Sequence, residues 1–202
     1  MTDTRPEKRS LFLFPFIVII YTQNRYQCRR ITMLTLEKID DKNRYYDYVK
    51  GLYDSAFPDD EKRDFDELIS GDLYESDFYL VKKGKQPVGF VSCLTFRDIT
   101  HILYFAVEER YRNRGYGSEI LGLVRKHFSN DRIIADVEEP VADAPNLDER
   151  EKRIDFYLHN GYRFTDIRYE WQGERYIILS QNGYVSEDEF SEFWDYFSSK
   201  LP

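Results

Sequence analysis

The chain is poor in cysteine and short of positive charge, and both shortages narrow what it can do. Cysteine occurs only at Cys28 and Cys93 in 202 residues. Two thiols make neither a disulfide framework nor a metal cluster, so no bound metal and a reducing, cytoplasmic compartment are expected. Lys and Arg total 29 against 37 Asp and Glu, a formal charge of −8. Phosphate backbones are held by cationic side chains that release counterions, so a general nucleic-acid binder is excluded. The same sign suits a cationic partner such as an amine. Long apolar runs are lacking too. The stretch Leu11–Tyr21 is apolar apart from Pro15, but a bilayer helix needs about 20 such residues. What the chain has in quantity is aromatic: 17% Phe, Trp and Tyr within 42% hydrophobic residues, a globular mix whose core is built on rings.

The first 32 residues read as a separate extension. Arg5, Lys8 and Arg9 precede the apolar run as in a signal peptide, yet the polar and basic Thr22-Gln23-Asn24-Arg25 follows it instead of a cleavage site of small residues. Met33 stands directly before a strand-like segment, so the expectation is either a natural start at Met33 or a loosely packed extension over 1–32. A short membrane anchor is the lesser alternative. The domain is expected over 33–183, with a C-terminal amphipathic helix over 184–202.

Within that domain the periodicities alternate between strand and helix. Residues 34–39 read as a strand, Tyr45 to Ser55 as a helix broken before Pro58, and the segment through Phe65, Leu68 and Ile69 as a second helix. Asp77–Lys82 and Pro87–Phe96 read as a hairpin about Gly84, followed by a strand from Ile102 to Val107. A helix over Glu119–Phe128, a doubly buried strand over Arg132–Val137 and a helix over Arg150–His159 ended by Gly161 come next. Strands over Phe164–Trp171 and Arg175–Ser180 flank the turn at Gln172-Gly173. Ser186-Glu187-Asp188-Glu189 has capping-box spacing, and Phe190, Phe193, Trp194 and Phe197 fall on one face of the helix it starts. That stripe either covers the sheet or forms a homodimer or partner surface. The element order predicts an α/β or α+β sandwich around a mixed sheet.

Chemistry is concentrated where the strand ending Phe105-Ala106-Val107 runs into Arg112-Asn113-Arg114-Gly115-Tyr116-Gly117-Ser118 and then a helix. The first amides of a helix have no internal acceptor, and the dipole favours an anion there. Glycines at 115 and 117 let the backbone approach a phosphate, and Arg112 and Arg114 add charge. The spacing is not that of a Walker loop, because no Gly-Lys-Ser/Thr follows. Nor is it the dinucleotide fingerprint, whose third glycine would fall at Ile120.

Arg112-Asn113-Arg114-Gly115-Tyr116-Gly117 resembles the (Gln/Arg)-x-x-Gly-x-(Gly/Ala) pyrophosphate loop of the GNAT acetyltransferases. Further on, Ile154-Asp155-Phe156-Tyr157-Leu158-His159-Asn160-Gly161-Tyr162 is similar to that family's second signature. The resemblance implies a mixed, mostly antiparallel central sheet flanked by helices, in a single domain. It implies acetyl-CoA as co-substrate and a small-molecule or peptidyl amine as acceptor. Phe105, Ala106 and Val107 would hold the pantetheine arm, and Arg112, Asn113, Arg114, Gly115, Tyr116, Gly117 and Ser118 the pyrophosphate. Tyr157 matches the family's general acid, and an amide near Phe105 would stabilise the oxyanion.

Two departures stand out. Where many relatives carry a Glu on the strand, this chain has Leu103, and the Asn expected seven residues before the tyrosine is Arg150. Glu138 and Glu139 are then the candidate bases, the alternative being a solvated strand end, while His101 is either a proton relay or a surface histidine. Asp59, Asp60 and Glu61 would either draw a polycation or form a solvated helix start. The leading expectation is an N-acetyltransferase. A non-catalytic acyl-CoA-binding module of the same fold is the alternative.

Overall fold

The computed structural model describes residues 33–59, 62–72 and 75–200. The expected extension over 1–32 lies outside them, as do Asp60 and Glu61. Strands β1 (Leu34–Ile39), β2 (Asp77–Lys83), β3 (Gln86–Phe96), β4 (Ile99–Val107), β5 (Arg132–Glu138), β6 (Arg163–Trp171) and β7 (Glu174–Gln181) form one sheet, in the order β1-β2-β3-β4-β5-β7-β6. Every neighbouring pair is antiparallel except β4 and β5. The helices are α1 (Tyr46–Ala56), α2 (Phe65–Ser70), α3 (Tyr116–His127), α4 (Leu147–His159) and α5 (Glu187–Ser198). This is the mostly antiparallel, helix-flanked sheet that the resemblance implied.

Alternation along the strands sorts the helices between two faces. Ile120, Leu121 and Val124 of α3 pack with Ile154 and Tyr157 of α4 against Ile133, Ala135 and Val137 of β5. On the other face α1 and α2 bring Val49, Leu52, Tyr53, Phe65 and Leu68 onto Phe78, Phe90 and Tyr104. Next to them α5 buries Phe190, Phe193 and Phe197 on Leu94, Ile134 and Ile178. The aromatic stripe of α5 therefore covers the sheet. Each of those rings contributes about 1.5–3 kcal/mol by leaving water. The helix starts where its capping box requires, with Ser186 accepting from the Glu189 amide and Glu189 bonded back to Ser186.

Three elements begin earlier than their apolar periodicity suggests. The fourth strand starts at Ile99 because Thr100 and His101 are inward-facing polar residues, both buried. Helix α3 starts at Tyr116, its first turn written in residues that read as loop, and α4 starts at Leu147 through a polar first turn.

Two features of β4 make room for a site. Its ladder with β5 runs only from Ile99↔Arg132 to Ile102↔Ala135, so the strands part beyond that point. On the β3 side Ile102 and Tyr104 oppose the adjacent residues Cys93 and Ser92, which leaves Leu103 as the extra residue of a bulge. Gly89 lets β3 approach at this level: a Cβ there would meet the Ala106 carbonyl oxygen at 2.4 Å.

Candidate active site

The chain leaves β4 at Val107, makes one 3₁₀ turn over Glu109–Tyr111 and enters α3 through Gly115. Asn113 and Gly115 both hold positive φ, 57° and 81°. A turn of this kind gathers successive amides around one concavity, which is an anion nest. The first intrahelical bond is from the Glu119 amide to the Gly115 carbonyl, 3.1 Å, so the amides of Tyr116, Gly117 and Ser118 precede the ladder. Arg112 is exposed, and its Nε donates to the Val107 carbonyl at 3.0 Å, which ties the turn to the end of β4.

The turn and the tyrosine are brought together by Phe156. A Cβ on Gly117 would lie 3.1 Å from two carbons of the Phe156 ring. That ring stacks on Phe105 with centroids 6.3 Å apart and meets Tyr157 edge-on at 5.3 Å. Tyr157 is buried on the face of α3 and α4, yet it lines a cavity of about 900 Å³ that also takes walls, such as Phe57 and Phe190, from the opposite face. The parting of β4 and β5 opens that passage. Ile102–Phe105 of β4, Asp136 and Glu138 of β5, Phe57 beyond α1 and Phe190 of α5 line the same cavity. Burial, and then the negative charge of Asp136, push the Tyr157 phenol well above its ordinary value. It is a hydroxyl that stays protonated at neutral pH, and among the described residues it has no hydrogen-bond partner.

The two glutamates at the end of β5 part company. Glu138 lines the cavity, but it is engaged by Arg153, by Arg150 at 3.4 Å and by the Asn146 amide at 3.3 Å. Glu139 lines a different pocket of about 380 Å³ beside Pro140 and Phe164, where it pairs with Arg175 at 3.1 Å and Arg168 at 3.5 Å. Arg150, standing where relatives carry an asparagine, is a buried strut. It reaches Glu174 of β7 at 3.0 Å and the Glu139 carbonyl at 3.1 Å. Asp59 is exposed and pairs with Lys62 at 2.6 Å.

His101 departs from the surface-histidine reading. It is 1% exposed, because its strand starts two residues before it and α5 lies across the sheet there, with Trp194 edge-on at 5.5 Å. Its Nε2 lies 2.9 Å from Asp136 Oδ1, and the Tyr169 hydroxyl donates to Asp136 Oδ2 at 2.6 Å. Burial alone would raise the Asp136 carboxyl, but the paired His101 ring and the Tyr169 hydroxyl outweigh it and hold the carboxyl below its ordinary range. An acid inside the apolar run Ile133-Ile134-Ala135-Asp136-Val137 is the signal for this node in the sequence.

A sheet that splits between two parallel strands, with a glycine turn and a helix start at the split, defines a class. The model of the acetyltransferase (GNAT) family matches residues 42–162, and the chain belongs to that family. A protein of Bacteroides thetaiotaomicron assigned to the GNAT acetyltransferases superposes with a TM-score of 0.69 at 18% identity, over 82% of this chain and 96% of that one. An aminoglycoside 6'-N-acetyltransferase complexed with coenzyme A gives 0.56 at 15% identity, over 73% and 96%. Arabidopsis thaliana Naa50, in complex with the bisubstrate analogue CoA-Ac-MVNAL, gives 0.54 at 22% identity, over 74% and 99%. At such identities these likenesses speak for the fold alone. No curated protein matches the chain at a significant level by sequence. No helix among the described residues is long and apolar enough to cross a membrane.

Proposed function

We propose that the protein is an N-acetyltransferase that moves an acetyl group from acetyl-CoA to a primary amine by direct attack on the thioester. The observation that carries this reading is the chain of contacts from Gly117 through Phe156 to Phe105 and Tyr157, at the mouth of the split between β4 and β5. The turn suits a diphosphate: a Cβ at Gly115 would meet nothing within 4 Å, so the approach to the amides of Tyr116, Gly117 and Ser118 is open. Structures of this fold with coenzyme A or a coenzyme A bisubstrate analogue bound support the choice of ligand.

When bound, acetyl-CoA supplies an activated acyl carbon and a thiol leaving group. The chain does the rest. Amides over 112–118 fix the diphosphate, and the backbone of Phe105, Ala106 and Val107, beyond the last β5 pairing, aligns the pantetheine arm. A backbone amide near Phe105 donates to the acyl oxygen as charge grows on it. Tyr157, kept protonated by burial and by Asp136, donates to the departing sulfur as general acid. Of the two candidate bases, only Glu138 faces the acceptor cavity.

Thiol release over a panel of primary amines, read with Ellman's reagent, tests the activity, and a thermal shift with coenzyme A tests the binding beneath it. The expected result is a higher melting temperature with coenzyme A and amine-dependent thiol release. A shift without turnover on any amine favours an acyl-CoA-binding module, and no shift at all overturns both readings.

A further inference from the structure

Helix α5 does more than cover the sheet. Glu187, Phe190, Ser191, Trp194, Asp195 and Ser198 all line the acceptor cavity. Their spacing of three and four residues places them on one stripe that runs the length of the helix. The seam against the sheet is a second stripe, made by Phe193 and Phe197, and Phe190 stands between the two and serves both. At 1.5 Å per residue the cavity stripe from Glu187 to Ser198 is about 16 Å long. The same cavity reaches Phe105 and Tyr157. A thioester held beside that tyrosine therefore opens onto a space that continues along α5.

This wall is held at every turn. Phe193 and Phe197 are buried beneath it. Glu189 pairs with Arg132 at 2.8 Å near the start of the helix and Glu192 with Arg97 at 2.6 Å in its middle. Lys200, just past its end, pairs with Glu75 at 2.6 Å. A wall already fixed loses little freedom when a guest settles on it.

The polarity of the walls sets no preference. Acids, arginines and rings stand together, with Arg63, Glu149, Arg153 and Trp171 facing the space from other elements. Length is what the arrangement sets. A compact amine at Tyr157 would leave most of the stripe untouched. An extended chain matches it, since about five peptide units at roughly 3.3 Å each cover the same distance.

Helix α5 lies beyond residues 42–162, the part matched to the family, so membership alone gives it no task in the site. Resting on the acetyltransferase reading, we infer that α5 is the wall that reads the acceptor. The acceptor is a chain-like primary amine whose body lies along the helix, and Ser191 and Trp194, in the middle of the stripe, determine its length.

The test is calorimetric binding to the full chain in the presence of coenzyme A, with two pairs of amines that differ in length and not in charge. Glycinamide is set against pentaglycine amide, and 2-methoxyethylamine against its tetra(ethylene glycol) homologue. In at least one pair the longer amine is expected to bind at least tenfold tighter. Ser191→Trp puts an indole into the middle of the stripe and is expected to cut that preference at least fivefold, with coenzyme A affinity unchanged. Glu192→Trp adds the same ring on the side of the helix that faces Arg97 and is expected to keep the preference. A preference below tenfold in both pairs overturns the inference. So does a preference that Ser191→Trp leaves intact, or one that Glu192→Trp reduces equally. Should Ser191→Trp fail to fold, the wild-type comparison within the pairs decides alone. Coenzyme A binding that survives while the length result fails leaves the acetyltransferase reading standing. Loss of both removes it.

Discussion

Gly117 and Phe156 touch so closely that a single methyl group would fill the space between them: a Cβ at Gly117 would lie 3.1 Å from two carbons of the ring. This contact joins the start of α3 to the residue beside Tyr157, and the turn's distance from the tyrosine depends on it. Gly117→Ala asks the Phe156 side chain to yield by a few tenths of an ångström, which it can do, and coenzyme A affinity is expected to fall by less than about tenfold. Gly117→Val adds two further methyl groups and is expected to abolish the thermal shift with coenzyme A while the apo protein stays folded. Equal affinity in both variants would show that this contact does not position the turn.

Tyr157→Phe removes one oxygen and nothing else. The hydroxyl has no hydrogen-bond partner among the described residues, so its loss is expected to change stability by less than about 1 kcal/mol. A general acid contributes roughly 10²–10⁴ in rate, and turnover is expected to fall by that much. Coenzyme A affinity should not move. Urea unfolding, the coenzyme A thermal shift and thiol release on the same preparation separate a catalytic hydroxyl from a packing ring.

Much of this arrangement is legible in the residues alone, for physical reasons that also explain what is hidden. The strand, glycine turn and helix start at 107–118 announce themselves because left-handed backbone and close approach demand glycine, and the tyrosine segment 154–162 closes with Gly161 at φ 88°. Interiors are less legible. Asp136 lies in a run of apolar residues whose doubly covered strand shows no alternation, so an acid pointing into the cavity and an apolar neighbour pointing away look the same. His101 is hidden differently: the strand's first turns are polar, and only α5, nearly ninety residues further along, roofs them over. Glu138 and Glu139 are adjacent in the chain but open into different pockets: Glu138 ends β5 and lines the larger cavity, while Glu139, one residue past the strand, lines the smaller one. No composition or spacing says which of the two reaches the cavity.

Gly89→Ala should cost far more than an ordinary surface change. The new Cβ would sit 2.4 Å from the Ala106 carbonyl oxygen, and both atoms belong to backbone in the middle of the sheet. Neither can move without opening the β3–β4 ladder. A loss of about 3 kcal/mol is expected, the upper part of the overpacking range. Urea unfolding reads it directly, and a loss under about 1 kcal/mol would show that the strands tolerate more separation than their register implies.

Arg150 offers a contrast between structure and cofactor. It is 4% exposed and bonded to Asn146, Glu138, Glu174 and the Glu139 carbonyl. Arg150→Met leaves Glu138 with Arg153 alone and breaks a buried network, for an expected loss of about 3–5 kcal/mol. Arg150→Lys keeps the charge without the planar fork and should recover only part of it. Coenzyme A affinity of the folded fraction is expected to stay within about threefold. A specific loss of affinity at normal stability would instead place this guanidinium on the cofactor.

The pH dependence of stability follows from Asp136 with a definite sign. Its folded carboxyl lies below the ordinary value because the His101 and Tyr169 donors outweigh the cost of burial. A group lowered on folding stabilises the native state above its unfolded value, about 3.9 for Asp. That contribution drains away as pH falls through the folded value. Tyr169→Phe removes one of the two donors. A hydrogen bond to a charged group is worth about 1.5–3 kcal/mol, so the variant is expected to be less stable near neutral pH by that order. With that donor gone the folded carboxyl moves up, so its acid unfolding should begin at a higher pH than in the parent chain. At pH values low enough to protonate Asp136 in both proteins the difference should shrink, since a neutral carboxyl gains less from the hydroxyl. Circular dichroism melts across an acid series measure both effects, and a stability difference that does not narrow toward acid would mean the Tyr169 hydroxyl acts through packing and not through the carboxylate.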